Sequence, residues 1–229
     1  MGLWKKVLIG GGITALITLI LALSLGLTLG QTKIKSTFFS RSYNPRLLQP
    51  PSNLSVMFWS DMKDVVHGLT AKRKDCFVTL EDTLLGSVLD GLMWCGKEGK
   101  NGTFSNGCPE WSECEDNPVR SFWRSASAAY ADAACGDVTA MLSGSTTTPF
   151  DPTSIFASIE VMRLKALRVS SLNVVMALKK NTKSDCTNAS LKKLQNQLDP
   201  NVTYTCKDVA EHRVEQCGSQ PEITCGACW

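Results

Sequence analysis

The sequence predicts a mixed α/β fold: a helical lobe and a lobe built on a small, mainly parallel sheet, preceded by one membrane-spanning helix. Three observations predict it. Val7 to Gly30 carries no charged residue, and as a helix of about 36 Å it crosses a hydrocarbon core of about 30 Å with some tilt. Capped, apolar-periodic segments lie between about residues 79 and 135. The rest of the folded part, 54–78 and 136–229, carries short β-prone runs interleaved with loops, the pattern of a sheet with crossovers.

The N-terminal region divides into a tail (1–6), the anchor (7–30) and a stalk (31–53) in which Asn44-Pro45 and Pro50-Pro51 interrupt any period. A cleavable signal has an apolar stretch of only about 7–15 residues, so length favours an uncleaved anchor. Lys5 and Lys6 face Lys33, Lys35 and Arg41 across the span, so basic residues do not orient it. Other features do. The acceptor triplets at Asn53, Asn101, Asn188 and Asn201, and all ten cysteines, lie beyond the anchor, which predicts a single-pass type II glycoprotein with its C-terminal part outside the cytoplasm. Lys6 stands where a myristoylation signal needs Ser or Thr.

Leu54 to Trp59 reads as a strand, with Ser60 and Asp61 as caps for a helix over Met62 to Leu69. Thr79 to Asp82 has capping-box spacing before a helix expected to end near Cys95-Gly96. Lys97 to Glu115 reads as a stapled loop. Asn117-Pro118 opens a second helix that stops at Cys135-Gly136. Val138–Leu142, Ile155–Met162 and Leu172–Leu178 read as strands, and Ala189–Leu198 as a helix.

The chemistry is narrowed by exclusion. Only His67 and His212 are present, which removes most histidine triads and zinc hydrolase sites. A net charge of +3 without a basic block predicts no nucleic-acid partner. Cys225-Gly226-Ala227-Cys228 has redox-motif spacing, and with His212 and Cys217 suggests a zinc site, but at the end of an oxidised domain ordinary disulfide use is favoured. What remains is Trp59, Glu81, Asp82, Asp90, Trp123 and Glu160. Composition alone reads the indoles as packing, Glu81 as helix-dipole stabilisation and Glu160 as a solvated side chain on a strand.

The run Thr79-Leu80-Glu81-Asp82-Thr83-Leu84-Leu85-Gly86, followed by Leu92-Met93-Trp94-Cys95-Gly96, resembles the signature of the ADP-ribosyl cyclase / cyclic ADP-ribose hydrolase family. Phe58-Trp59-Ser60, Cys108-Pro109, Asn117-Pro118 through Ser121-Phe122-Trp123, Ala140-Met141-Leu142 through Gly144-Ser145, and Phe156 through Glu160-Val161 follow in the family's order, so the resemblance runs from about Leu54 to Cys217. It implies a membrane ectoenzyme that cleaves NAD to nicotinamide, ADP-ribose and cyclic ADP-ribose and hydrolyses cyclic ADP-ribose. NAD is then substrate, and no cofactor is implied.

By the same resemblance Glu160 is the catalytic glutamate, Trp59 and Trp123 are stacking tryptophans, and Glu81 and Asp90 are nicotinamide-side acids. Ser60, Asp82, Ser127 and Phe156 match further substrate positions. Glu81 and Asp90 are nine residues apart, about half a turn out of phase on an ideal helix, so their convergence requires an irregular first turn. The resemblance pairs Cys95 with Cys108, Cys186 with Cys206 and Cys217 with Cys225. It leaves Cys76, Cys114, Cys135 and Cys228 free, mispaired or intermolecular. Four departures stand out: a stalk replaces a further helical segment, Asn53 stands where relatives place a cysteine, Asp61 replaces a basic residue, and Ile155 a polar one. They keep open a catalytically impaired surface receptor or adhesion glycoprotein, and a homo-oligomer or surface protein as partner.

Overall fold

Residues 54–114 and 116–229 are described by a computed structural model. The expected anchor, the stalk and Asn53 lie outside them. Among the described residues no helix is long and apolar enough to cross a membrane. They form two compact units, Gly91–Phe122 and a larger one of 54–90 with Trp123–Trp229.

The larger unit is organised by a five-stranded parallel sheet. Its strands are β1 (Ser55–Ser60), β2 (Phe77–Val78), β5 (Gly136–Ser143), β6 (Val169–Leu178) and β7 (Thr203–Ala210), in the order β2-β1-β5-β6-β7. β5 and β6 are long apolar runs because a parallel sheet is covered on both faces. One face packs Met57, Met141, Val175, Ala177 and Val209 against Val66 and Leu69 of helix α1 (Lys63–Lys72) and Val214 and Cys217 of α5 (Glu211–Ser219). On the other face Phe58 meets Tyr130 of α3 (Pro118–Ala133) edge-on at 5.6 Å and Phe156 at 6.1 Å. The chain leaves β1 to build β2 on one side, then returns to build β5 on the other. The site sits beyond the carboxyl ends of β1 and β5, where ligands of open α/β sheets bind.

Three expected elements differ. Helix α2 spans only Leu84–Leu89, with Thr83 as N-cap; Gly91, at φ 73°, ends it well before Cys95. Neither Ser60 nor Asp61 caps α1, whose N-cap is Met62 without a side-chain bond. Ile155–Met162 is not a strand. Phe156–Glu160 is a π-helix that runs into a 3₁₀ turn, Val161–Arg163. Its start was written locally: Asp151 Oδ1 accepts from Thr153 N–H and Oγ at 2.8 Å, Ser154 Oγ accepts from Ala157 N–H at 3.1 Å, and Pro152 occupies the turn between. Helix α4 (Ala189–Gln197) matches its expected position.

The smaller unit is not only a loop. β3 (Cys95–Lys97) and β4 (Lys100–Phe104) form an antiparallel ribbon, closed by the Cys95–Cys108 disulfide. Asn117 Oδ1 accepts from Arg120 N–H at 3.0 Å, the expected cap of α3. Asn101 and Asn201 are exposed, whereas Asn188 is committed to capping α4 and donates to Thr147 O at 3.1 Å.

Two cysteine expectations hold and one is overturned. Cys95–Cys108 and Cys186–Cys206 are bonded as expected, but Cys225 pairs with Cys76, and Cys217 with Cys228. Cys76 and Cys228 are therefore not free; Cys114 and Cys135 are. Cys76 follows the end of α1, and packing of α1 on α5 delivers it to the C-terminal segment, where Phe77 stacks on Trp229 at 5.0 Å. The buried Arg73 guanidinium lies at that junction, 2.7 Å from Cys76 Sγ and 3.4 Å from Cys217 Sγ. Non-reducing peptide mapping is expected to join Cys76 to Cys225 and Cys217 to Cys228; a Cys217–Cys225 peptide in their place rejects this arrangement.

Candidate active site

Successive residues of a strand face opposite ways, so Trp59 and Phe58 leave β1 on different faces. Trp59 is half-buried on the α1 side, where its ring stands perpendicular to His67 at 5.8 Å. Phe58 and buried Ser60 lie on the other side. There Phe156 is enclosed by Phe58 and Phe150, at 6.1 and 6.0 Å, so it supports the π-helix from within the core. Glu160, four residues on, ends that π-helix and is buried. Ser127 and half-buried Trp123 are one turn apart on α3, and the Ser127 hydroxyl lies close enough to the Glu160 carboxyl to favour its ionised form.

Glu81 arrives by another route. It lies in the turn before α2, outside the helix, which supplies the irregularity that separation from Asp90 requires. That turn is tied by Asp82, whose Oδ2 accepts from both Thr79 N–H and Thr79 Oγ at 2.9 Å. Asp82 is thus engaged in shaping the turn. Glu81 Oε2 accepts from the Trp59 indole N–H at 3.3 Å and lies 3.6 Å from His67 Nε2. Asp90, at the carboxyl end of α2, binds Lys63 Nζ at 2.8 Å.

The two glutamates are electrostatically unlike. Burial raises the Glu160 pKa from the ordinary 4.5 to about 8, with Ser127 opposing and the Glu81 charge adding to the rise. Burial pushes Glu81 up as well, but the His67 imidazole, a backbone hydrogen bond and the Trp59 N–H outweigh it and hold the group below its ordinary value. Near neutral pH one carboxyl keeps its proton and the other is ionised, a division of labour suited to acid–base and charge-stabilising work. Tyr130, whose hydroxyl donates to Val78 O at 2.6 Å, feels Glu81, Glu160 and Asp82 together. Lys63, His67 and Tyr130 were missed as site supports. The spacing of Lys63 and His67, four residues apart on one helix, was the available signal.

Sequence comparison matches the ADP-ribosyl cyclase family pattern to residues 33–226. The chain is 37% identical over 171 residues to the ADP-ribosyl cyclase/cyclic ADP-ribose hydrolase 1 of Rattus norvegicus, an overlap of 72% of this chain and 56% of the relative. It is 38% identical over 128 residues to the ADP-ribosyl cyclase/cyclic ADP-ribose hydrolase of Aplysia kurodai, 55% of this chain and 44% of that one. The chain thus spans about half the length of the curated relatives it matches. Its fold is similar to that of porcine CD38 complexed with a covalent intermediate, ribo-F-ribose-5'-phosphate, with 31% identity and a TM-score of 0.66, covering 79% of this chain and 77% of that one. Aplysia cyclase complexed with substrate NGD and product cGDPR gives 31% identity and a TM-score of 0.62, covering 76% and 70%.

Two predictions follow from this geometry. A Cβ on Gly86 would stand 2.0 Å from Leu80 O and 2.7 Å from Glu81 Cα, so Gly86→Ala must move the turn that carries Glu81. Its cost is expected at about 2–3 kcal/mol or more in urea denaturation, the range of overpacked cores. The second concerns pH. Between the ordinary 4.5 and about 8 the folded protein keeps a proton on Glu160 that the unfolded chain has released, so this group makes stability fall as pH rises through that window. Glu160→Gln removes the dependence. Relative to the wild type it is expected to be more stable at pH 8 than at pH 5, by on the order of 3–4 kcal/mol; an equal difference at both pH values refutes the buried, protonated Glu160.

Proposed function

The chain belongs to the ADP-ribosyl cyclase family, and from that premise we propose that it cleaves the nicotinamide–ribose bond of NAD. The products are nicotinamide with ADP-ribose and cyclic ADP-ribose, and cyclic ADP-ribose is itself hydrolysed. The reading extends to a type II membrane protein whose catalytic part faces the outside, supported by the uncharged Val7–Gly30 run and the acceptor triplets beyond it. The observation that carries the function is the buried Glu160 carboxyl, set beside Ser127 and within the field of the Glu81 charge.

The chemistry uses that arrangement in a definite order. NAD brings a positively charged pyridinium into a site containing a protonated carboxyl. An opposite charge favours the ionised form, so binding drives the proton from Glu160. As the ribosyl C1′–N bond breaks, its electron pair passes to the ring nitrogen and nicotinamide leaves neutral. Positive charge develops on the ribosyl carbon, and the Glu160 carboxylate stabilises it or bonds to that carbon, as in retaining glycoside cleavage. Water then completes hydrolysis, or the adenine folds back onto the same carbon and closes the ring. Trp59 and Trp123 offer rigid aromatic faces for the bases, and Glu81, already ionised, accepts from the nicotinamide carboxamide.

Nicotinamide release by the purified chain tests the reading. Glu160→Gln is expected to lower kcat by about 10²–10³ with the fold retained, the loss typical of removing one preorganised electrostatic group. Trp59→Ala is expected to act on KM and on the cyclic-to-linear product ratio as well. A folded Glu160→Gln that works at the parental rate overturns the role of Glu160, and an inert wild type points instead to a surface receptor on the same scaffold.

A further inference from the structure

Lys63 and His67 lie four residues apart on α1, hence on one face of the helix. Each meets an acid from a different part of the chain. Lys63 Nζ lies 2.8 Å from Asp90 Oδ1 at the end of α2, and His67 Nε2 lies 3.6 Å from Glu81 Oε2 in the turn before it. One helix therefore holds both acids to which the resemblance gives the nicotinamide.

His67 does more than balance charge. Its ring stands perpendicular to Trp59, and Trp59 donates to the same Glu81 oxygen that His67 approaches. Indole, carboxylate and imidazole thus close a triangle with Oε2 at the shared corner. His67 Nε2 is buried and makes no hydrogen bond at this separation, so the carboxylate is the charge available to stabilise its proton. The charged groups that bear on the imidazole are Glu81 and Asp90, which favour its protonation, and Lys63, which opposes it.

We propose that His67 is a positioning residue whose imidazolium clamps Glu81 against the Trp59 indole, presenting the nicotinamide-facing carboxylate and the stacking face as one unit. The proposal rests on the NAD-cleaving reading above and deepens it. His67 touches no reacting atom. It fixes the orientation of two groups that do, so its loss falls on substrate capture before it falls on the chemical step. Glu81 raises the pKa of His67 above its ordinary 6.5, so the clamp opens as pH rises through that elevated value.

The test has two arms on the full chain. The chain has only two histidines, His67 and His212, so an NMR titration of ring-labelled histidine shows two resonances, and His67→Gln identifies the one that disappears. The expected result is a His67 titration above the ordinary value in the wild type, shifted downward in Glu81→Gln. In the kinetic arm, His67→Gln raises KM for NAD about 3- to 10-fold at pH 6, with kcat changed less than about twofold, and removes the rise of KM with pH expected of the wild type. A His67 titration unmoved by Glu81→Gln overturns the clamp whatever the enzyme does. So does a folded His67→Gln with parental KM. A wild type that releases no nicotinamide sinks the NAD reading instead, and the titration arm still decides the clamp.

Discussion

Parallel pairing of β1 with β5, from Met57 opposite Thr139 to Ser60 opposite Leu142, is the constraint on which the rest depends. These strands are adjacent in space but separated by α1, β2, α2, the β3–β4 ribbon and α3 in the chain. Because the chain builds outward on one side of β1 and returns on the other, the connections diverge at this pair, the place where ligands of open α/β sheets bind. The register also fixes direction. With Phe58 opposite Ala140, Phe58 faces α3 and the π-helix while Trp59 faces α1. A slip of one residue would exchange the two aromatics and remove the indole from Glu81.

Within that frame the site is an electrostatic contrast between two glutamates. Glu81 lies in a turn with an imidazole and an indole N–H beside it; Glu160 is buried beside the Ser127 hydroxyl. Each charge affects the other, since ionised Glu81 raises the cost of ionising Glu160. On the proposed NAD-cleaving reading, a cationic substrate would relieve that cost and a neutral product would restore it. The same buried carboxyl is thus a stability burden above its ordinary pKa and, on that reading, would supply negative charge to a bound pyridinium.

Support for the Trp59 side comes from a covalent junction. Arg73 ends α1, and its guanidinium donates to Cys217 O at 3.3 Å and is paired by Asp75 at 3.1 Å, among the sulfurs of the Cys76–Cys225 and Cys217–Cys228 bridges. A charge so buried is tolerated only when its donors are engaged. The junction fastens α1, which carries Lys63 and His67, to α5 and the chain end. Its first bridge spans 149 residues of sequence, and in a chain-entropy picture closing so long a loop stabilises the fold by about 5 kcal/mol.

The sequence by itself determined the class of fold, the start of β1, the Asn117-Pro118 cap of α3, the long β5 and β6 runs and the α4 helix, because each is written in a local period or cap. It also placed the signature residues in the order that the family resemblance requires. Tertiary structure alone decided the rest. Ile155–Met162 has strand-like composition, but the Asp151-to-Ser154 turn and the burial of Phe156 beneath Phe58 coil it into a π-helix, changing Glu160 from a solvated side chain to a buried one. Cys76 finds Cys225, and His67 finds Glu81, through the packing of α1 on its neighbours, and no local pattern encodes a partner that far along the chain. Periodicity reports which face of an element is buried; which side chains meet beyond its end follows from strand order and register.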